Sequence, residues 1–174
     1  MIIALFEILW FFLPAGAANA APVVFKRVPF LDFPVDFNKT LFGKRIFGSH
    51  KTFRGFFFGV LVAVAVVFLQ QAVEVNSLVD YSAVNPLFLG FLLGFGALFG
   101  DLAKSFFKRQ FSILPGRSFV PFDQIDWVLG SALFSFWYVK ISFFQFVAAV
   151  VLLGILHMLV NLFGYAIGIK TNKL

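Results

Sequence analysis

Five stretches of this chain are long and apolar enough to cross the roughly 30 Å hydrocarbon core of a bilayer as helices, which takes about 17 to 25 residues each. They fall at about 2–24, 54–73, 86–107, 124–139 and 143–166. The expected fold is therefore all-α: a polytopic membrane protein of five transmembrane helices. The fourth stretch is the shortest, carries Asp126 in its first turn, and so begins near the interface or is tilted. It ends in FSFWYVKIS, an aromatic belt with Lys140 at the far surface. No repeat, low-complexity tract or separate soluble domain interrupts the 174 residues, which read as one integral membrane domain.

Loop charge orients the spans. Residues 25–54 hold seven basic residues (Lys26, Arg27, Lys39, Lys44, Arg45, Lys51 and Arg54), and residues 104–117 hold Lys104, Lys108, Arg109 and Arg117. Residues 74–85 carry only Glu74 and Asp80. Positive-inside asymmetry puts both basic loops, about 25–53 and 108–123, in the cytoplasm together with the tail that holds Lys170 and Lys173. The N-terminus is then outside. A cleaved leader ending at ANA-AP is the rival reading of the first 21 residues, but they lack a basic start and contain Glu7.

Composition limits the chemistry. With no cysteine, thiolate nucleophiles, disulfides and sulfur-ligated metals are excluded; with only His50 and His157, a bound metal is best sought as a hard cation on oxygen ligands. The net charge of +6 suits anionic partners. Nucleic acid is not among them, because the basic residues sit in short loops between apolar spans and form no stripe on a soluble surface.

Charge concentrates between Gly100 and Asp126, where Asp101, Asp123 and Asp126 lie with Lys104, Lys108, Arg109 and Arg117. An ionisable group at membrane depth costs roughly 2.5 to 3.5 kcal/mol on insertion scales and is a functional candidate by default. Most of these have ordinary explanations. Lys104, Lys108 and Arg109 end the third span, and Asp123 and Asp126 start the fourth, where the helix dipole favours them. Asp101 sits at the wrong end for the dipole, as do Lys51 and Arg54 at the start of the second span. A bound counter-ion accounts for both: a metal for Asp101, and a phosphate for the Lys51–Gly55 turn, whose free N–H groups would point at an anion. The bland rival for Asp101 is a buried pair with Lys104 or Lys108. Asp101, Lys104, Ser105 and Lys108 share one helical face, Asp123 and Asp126 share the next, and the two faces can meet in one pocket. Three carboxylates flanked by Lys and Arg suit a divalent cation bound together with a polyphosphate.

The segment GDLAKSFFKR followed by DQID resembles the signature of membrane CTP:phosphatidate cytidylyltransferases, a GDLxESxxKR segment followed by DRxD. Asp101, Ser105, Lys108, Arg109, Asp123 and Asp126 carry the match. Arg54 stands where that family has Glu in its PGKTxEG turn, and Gln124 where it has Arg, so the similarity is closer to the archaeal branch, the CDP-archaeol synthases. That branch's NAAPV, PxDF, GxxKTxRG and DQxD elements look like Asn19–Val23, Pro34–Phe37, Gly48–Gly55 and Asp123–Asp126 here.

The resemblance implies a five-span enzyme, multi-pass in the cell membrane with its site facing the cytoplasm. It would transfer CMP from CTP to an unsaturated isoprenoid ether-lipid phosphate, forming CDP-archaeol and pyrophosphate. By the same resemblance Asp101, Asp123 and Asp126 would hold Mg²⁺, with a second cation left open, and would be catalytic together with Lys108 and Arg109. Ser49, Lys51, Thr52, Arg54 and Gly55, with Lys104 and Ser105, would bind substrate phosphates. Asn19 and Asp36 would contact ribose, base or lipid head group. The partners are CTP, the lipid phosphate and the bilayer, with homodimer assembly left open. The isoprenoid chains would enter sideways between spans lined by Phe and Gly. His157 and Asn161 are expected to hydrogen-bond between helices. The rival functions are an ion- or proton-coupled transporter using Asp101 as a relay, and an anionic-lipid scaffold; clustering of the charges at one face disfavours the first, and the acids disfavour the second.

Overall fold

The computed structural model describes residues 2–73, 75, 78–114 and 116–168. Glu74, Lys170 and Lys173 lie outside the described residues. The elements are α1 (Ile2–Val24), a hairpin of β1 (Thr40–Leu41) and β2 (Lys44–Arg45), α2 (Phe53–Ala72), α3 (Pro86–Gln110), α4 (Phe122–Ser135) and α5 (Phe143–Ala166). The fold is helical apart from that antiparallel hairpin, which pairs Thr40 with Arg45 and Leu41 with Lys44.

Local chemistry sets the helix starts. Thr52 caps α2 by accepting from Gly55 N, Asn85 caps α3 ahead of Pro86, and Ser142 with Gln145 forms a reciprocal capping box on α5. Four helices, α2, α3, α5 and Leu5–Val24 of α1, are long and apolar enough to cross a membrane. The fourth is not. Expected over 124–139, it forms Phe122–Ser135, and 14 residues reach only about 21 Å. The chain turns after Ser135, where Phe136 packs edge-on against Phe146 of α5 and Tyr138 against Phe88 of α3. α3 runs to Gln110, about one turn beyond its expected end, so Lys108 and Arg109 stand on the helix.

The bundle is built around α3, which packs on α1, α2 and α4, while α5 leans mainly on α4. The core joins Ile8, Phe11 and Phe12 of α1 to Leu89 and Leu93 of α3 and Trp127 and Val128 of α4. Outward faces carry exposed Phe57, Leu61, Phe68, Leu133 and Ile155, as a lipid-facing surface requires.

Two glycines bring α3 and α4 to backbone contact. A Cβ on Gly100 would strike the carbonyl of Asp126, and one on Gly130 would strike the carbonyl of Gly96. Only glycine permits this approach, as in small-residue helix pairs in membranes. Its consequence is positional: Asp126 is pressed against the turn of α3 that carries Asp101.

Candidate active site

Three segments meet at the C-terminal end of α3. The first is the loop between α1 and α2, folded around a single carboxylate. Asp36 accepts from Asn38 N (3.0 Å), Phe47 N (3.1 Å), Gly48 N (3.1 Å), Arg45 Nε (3.2 Å) and Arg45 Nη2 (2.6 Å). Its side chain is wholly buried. Burial alone would raise its pKa, but the Arg45 guanidinium and the three backbone donors outweigh burial and bring it down to about 2. Lys44 Nζ then ties the hairpin to α3 through the carbonyl of Gln110 at 2.6 Å, and Val35 N reaches the carbonyl of Lys51 at 2.8 Å.

The loop delivers Lys51, whose ammonium pairs with Asp101 Oδ2. Lys104 Nζ lies 3.0 Å from Asp101 Oδ1, 3.3 Å from Asp123 Oδ1 and 2.8 Å from Asp126 Oδ2. Lys108 Nζ lies 3.1 Å from Asp123 and donates to the carbonyl of Arg117 at 2.5 Å. Asp123 also accepts from Phe119 N at 2.5 Å. The two faces predicted to meet do so, with Lys104 at the junction of all three carboxylates. The ion pair weighed as the bland reading of Asp101 forms with Lys104; Lys108 pairs with Asp123.

Two cavities adjoin this junction. A polar one of about 170 Å³ is lined by Ser49, His50, Lys51, Ser105, Lys108 and Arg109 among others, and Arg109 Nε is buried without a hydrogen-bond partner. An apolar one of about 470 Å³ runs between α3 and α4, past Phe99, Phe107, Phe122, Leu129 and Leu133, and reaches Lys104 and Asp126. Lys104 borders both. The arrangement can hold a multiply charged anion on one side of Lys104 and a hydrocarbon on the other.

The donor set fits a divalent cation. Three carboxylates already converge on one ammonium, and Asp126 Oδ1 is buried without a hydrogen-bond partner. Among the described residues no three acids stand close enough to form a metal-ligand group as they are, because Lys104 is inserted between them.

Several expected substrate contacts are placed elsewhere. Arg54 is buried, donates to the carbonyl of Val28 at 2.7 Å and pairs with Asp32 at 2.8 Å, so it clamps the loop and is spent there. The N–H groups expected to be free for a phosphate are taken: Phe53 N by the carbonyl of Phe33, Arg54 N by that of Leu31, and Gly55 N by Thr52 Oγ1. Thr52 is thus a cap, and Gly55 lies against Pro22 of α1. Ser105 lines the polar cavity while donating to the carbonyl of Asp101 at 2.8 Å. Asp36 organises the loop and has its acceptors filled by it. Asn19 lies in a separate groove of about 520 Å³ between α1 and α5, with Trp127, His157 and Asn161.

Sequence reading passed over two features. Phe99, Ala103 and Phe107 of α3 and Phe111 at its C-cap recur every four residues and form one wall of the apolar cavity; that period is a signal the sequence carries. Gln124 is buried on α4, with neither polar atom of its side-chain amide hydrogen-bonded; the sequence marks it only as a departure from the Arg of DRxD and gives it no role.

Known proteins match this chain along nearly its whole length. The family model described as CarS-like, CDP-archaeol synthase, matches residues 1–173. CDP-archaeol synthase of Methanococcus maripaludis strain C6 is 34% identical over 98% of this chain and 97% of its own length. That of Archaeoglobus fulgidus is 37% identical over 98% of each, and that of Thermofilum pendens 38% over 94% and 78%. A solved structure described as an intramembrane enzyme for archaeal membrane lipids biosynthesis superposes with a TM-score of 0.76 at 29% identity, covering 91% of this chain and 94% of that one. With the family matched end to end and a solved intramembrane enzyme of the same fold, this chain belongs to the CDP-archaeol synthase family.

Proposed function

We propose that this protein is a membrane-embedded, CTP-dependent cytidylyltransferase that joins CMP to an unsaturated archaeal ether-lipid phosphate, 2,3-di-O-geranylgeranylglycerol 1-phosphate, to give CDP-archaeol and pyrophosphate. The observation that carries this reading is the junction at Lys104, which borders both a cationic cavity and a hydrocarbon-lined groove and pairs with all three carboxylates. A transporter needs charge spaced across the bilayer, and this site gathers it at one end of α3.

In the reaction an oxygen of the lipid phosphate forms a bond to the α-phosphorus of CTP, while the bond to the bridging oxygen breaks and the electron pair leaves with pyrophosphate. A phosphomonoester with a second pKa of about 6 is largely dianionic at neutral pH, so the nucleophile needs no protein base. The obstacle is the approach of two anions, and the protein's task is neutralisation and alignment. Lys51, Lys108 and Arg109 neutralise the triphosphate in the polar cavity and pyrophosphate as it leaves, with Ser49 in the same wall. Asp101, Asp123 and Asp126 would hold Mg²⁺, which supplies Lewis-acid stabilisation of the phosphate oxygens when bound. The groove walled by Phe99, Phe107 and Leu133 takes an isoprenoid chain and leaves the lipid phosphate beside Lys104.

The same reading includes a five-span topology, N-terminus outside and C-terminus inside, with the site opening to the cytoplasm where CTP is available; α4 completes its crossing with the turns that follow it. The test is pyrophosphate release by purified protein given Mg²⁺, CTP and the unsaturated ether-lipid phosphate. Asp101→Asn and Asp123→Asn are expected to lower release at least ~100-fold while the protein stays folded in detergent. Near-wild-type turnover by either variant would rule out the carboxylate site, and no release with any lipid phosphate would rule out the enzyme.

A further inference from the structure

We infer that the Lys104 ammonium is a built-in counter-ion that must leave the carboxylates before a divalent cation can enter, so that cation and nucleotide bind as a unit and the cation alone binds poorly. This rests on the carboxylate site proposed above. Lys104 Nζ stands within 2.8–3.3 Å of Asp101, Asp123 and Asp126. A small hard cation needs its oxygens at about 2.0–2.1 Å, closer than the same oxygens stand to the ammonium, so one set of carboxylates cannot serve both ions in full.

The remaining question is where the displaced ammonium goes. Its flexible four-carbon stem is anchored on α3 between two cavities. The apolar groove offers hydrocarbon. The polar cavity, which Lys104 already borders, is also walled by Lys51, Lys108 and Arg109, so the ammonium swinging further into it with no anion present meets three more cations. With a triphosphate present the sign reverses, and Lys104 exchanges carboxylate partners for phosphate ones. Lys104 therefore couples the two ligands: each makes the other's place available. Asp126 Oδ1, buried and without a hydrogen-bond partner, is an acceptor that the ammonium leaves unused and a cation can take.

The experiment is a Mn²⁺ titration followed by electron paramagnetic resonance on the full chain in detergent, with and without a CTP analogue carrying a non-cleavable α,β-methylene bridge. The wild type should bind Mn²⁺ about tenfold or more tightly when the analogue is present. Lys104→Gln should bind Mn²⁺ alone about tenfold more tightly than the wild type and lose most of the coupling; Lys104→Arg, which keeps the charge, should retain weak binding of Mn²⁺ alone. Unchanged or weaker Mn²⁺ binding by Lys104→Gln overturns the inference. Because removing this charge leaves three acids uncompensated, thermal unfolding is followed in parallel. Mn²⁺ alone should raise the melting temperature of Lys104→Gln more than that of the wild type, and an equal or smaller rise overturns the inference as well. If neither protein binds Mn²⁺ even with the analogue, the cation site itself is wrong and the inference falls with it.

Discussion

Replacing Asp36 by Asn separates a loop organiser from a substrate contact. The carboxylate is wholly buried and accepts from five N–H groups, two of them on Arg45. Asparagine keeps the shape, but it turns one oxygen into a donor facing donors and leaves Arg45 without its partner. The pKa gives the scale: a fall from the ordinary 3.8 to about 2 corresponds to about 2 kcal/mol of charge-dependent stabilisation of this loop. Because the folded value is the lower one, that stabilisation is complete above 3.8 and is lost only as pH falls toward 2. Activity between pH 6 and 8 should therefore owe none of its pH dependence to Asp36. In Asp36→Asn, amide hydrogen exchange at Asn38, Phe47 and Gly48 should quicken by about 30-fold, the rate equivalent of about 2 kcal/mol, while amides in the middle of α3 keep their protection. The KM for CTP should rise as a secondary effect, since Lys51 loses its support. Unchanged exchange at Phe47 and Gly48 with a large loss of CTP affinity would refute the organiser role and return Asp36 to the substrate.

Gly100→Ala should lower the melting temperature in detergent sharply, by the equivalent of about 3 kcal/mol, because its Cβ would overlap the Asp126 carbonyl; Gly16→Ala, whose Cβ meets only the Trp127 ring at 3.6 Å, serves as the tolerant control. Ala103→Phe fills the groove between α3 and α4, and steady-state kinetics should show a KM for the lipid phosphate raised about tenfold or more, with that for CTP little changed. Arg54→Ala removes the clamp on Val28 and Asp32, so unfolding should report a loss of about 2 to 3 kcal/mol while nucleotide affinity of the folded protein stays near wild type. A selective loss of CTP binding would instead place the guanidinium on a phosphate.

Much of the fold was legible because hydrophobic span length is a one-dimensional property. α1, α2 and α5 form within a residue of where the apolar runs put them. The differences fall at α3 and α4, where polarity and helicity part company: α3 continues past residue 107 through Lys108, and the charges of Lys104 and Lys108 are met by acids on α4. Of the site, the helical spacing of Asp101, Lys104 and Lys108 fixed a shared face, and Asp123 and Asp126 a second. At the Lys51–Gly55 turn Lys51 reaches Asp101 while Arg54 is taken up by Val28 and Asp32, and the turn does not offer a free helix N-terminus, since the N–H groups of Phe53, Arg54 and Gly55 bond to residues 33, 31 and 52. No rule of sequence spacing reaches from Leu31 to Arg54.

What the sequence alone determined is what depends on neighbours along the chain: where the long apolar helices run, and which side chains share a helical face. What only the tertiary structure decided is how those charges cancel. Asp101 is offset by Lys51, 50 residues away, and by Lys104, which also holds Asp123 and Asp126. Asp36 and Arg54, both suggestive in sequence, turn out to be absorbed by their own loop. The physical reason is that electrostatic pairing falls off with distance in space, and the backbone contact at Gly100 and Gly130 brings the acids of α4 up to the turn of α3 that carries Asp101 and Lys104.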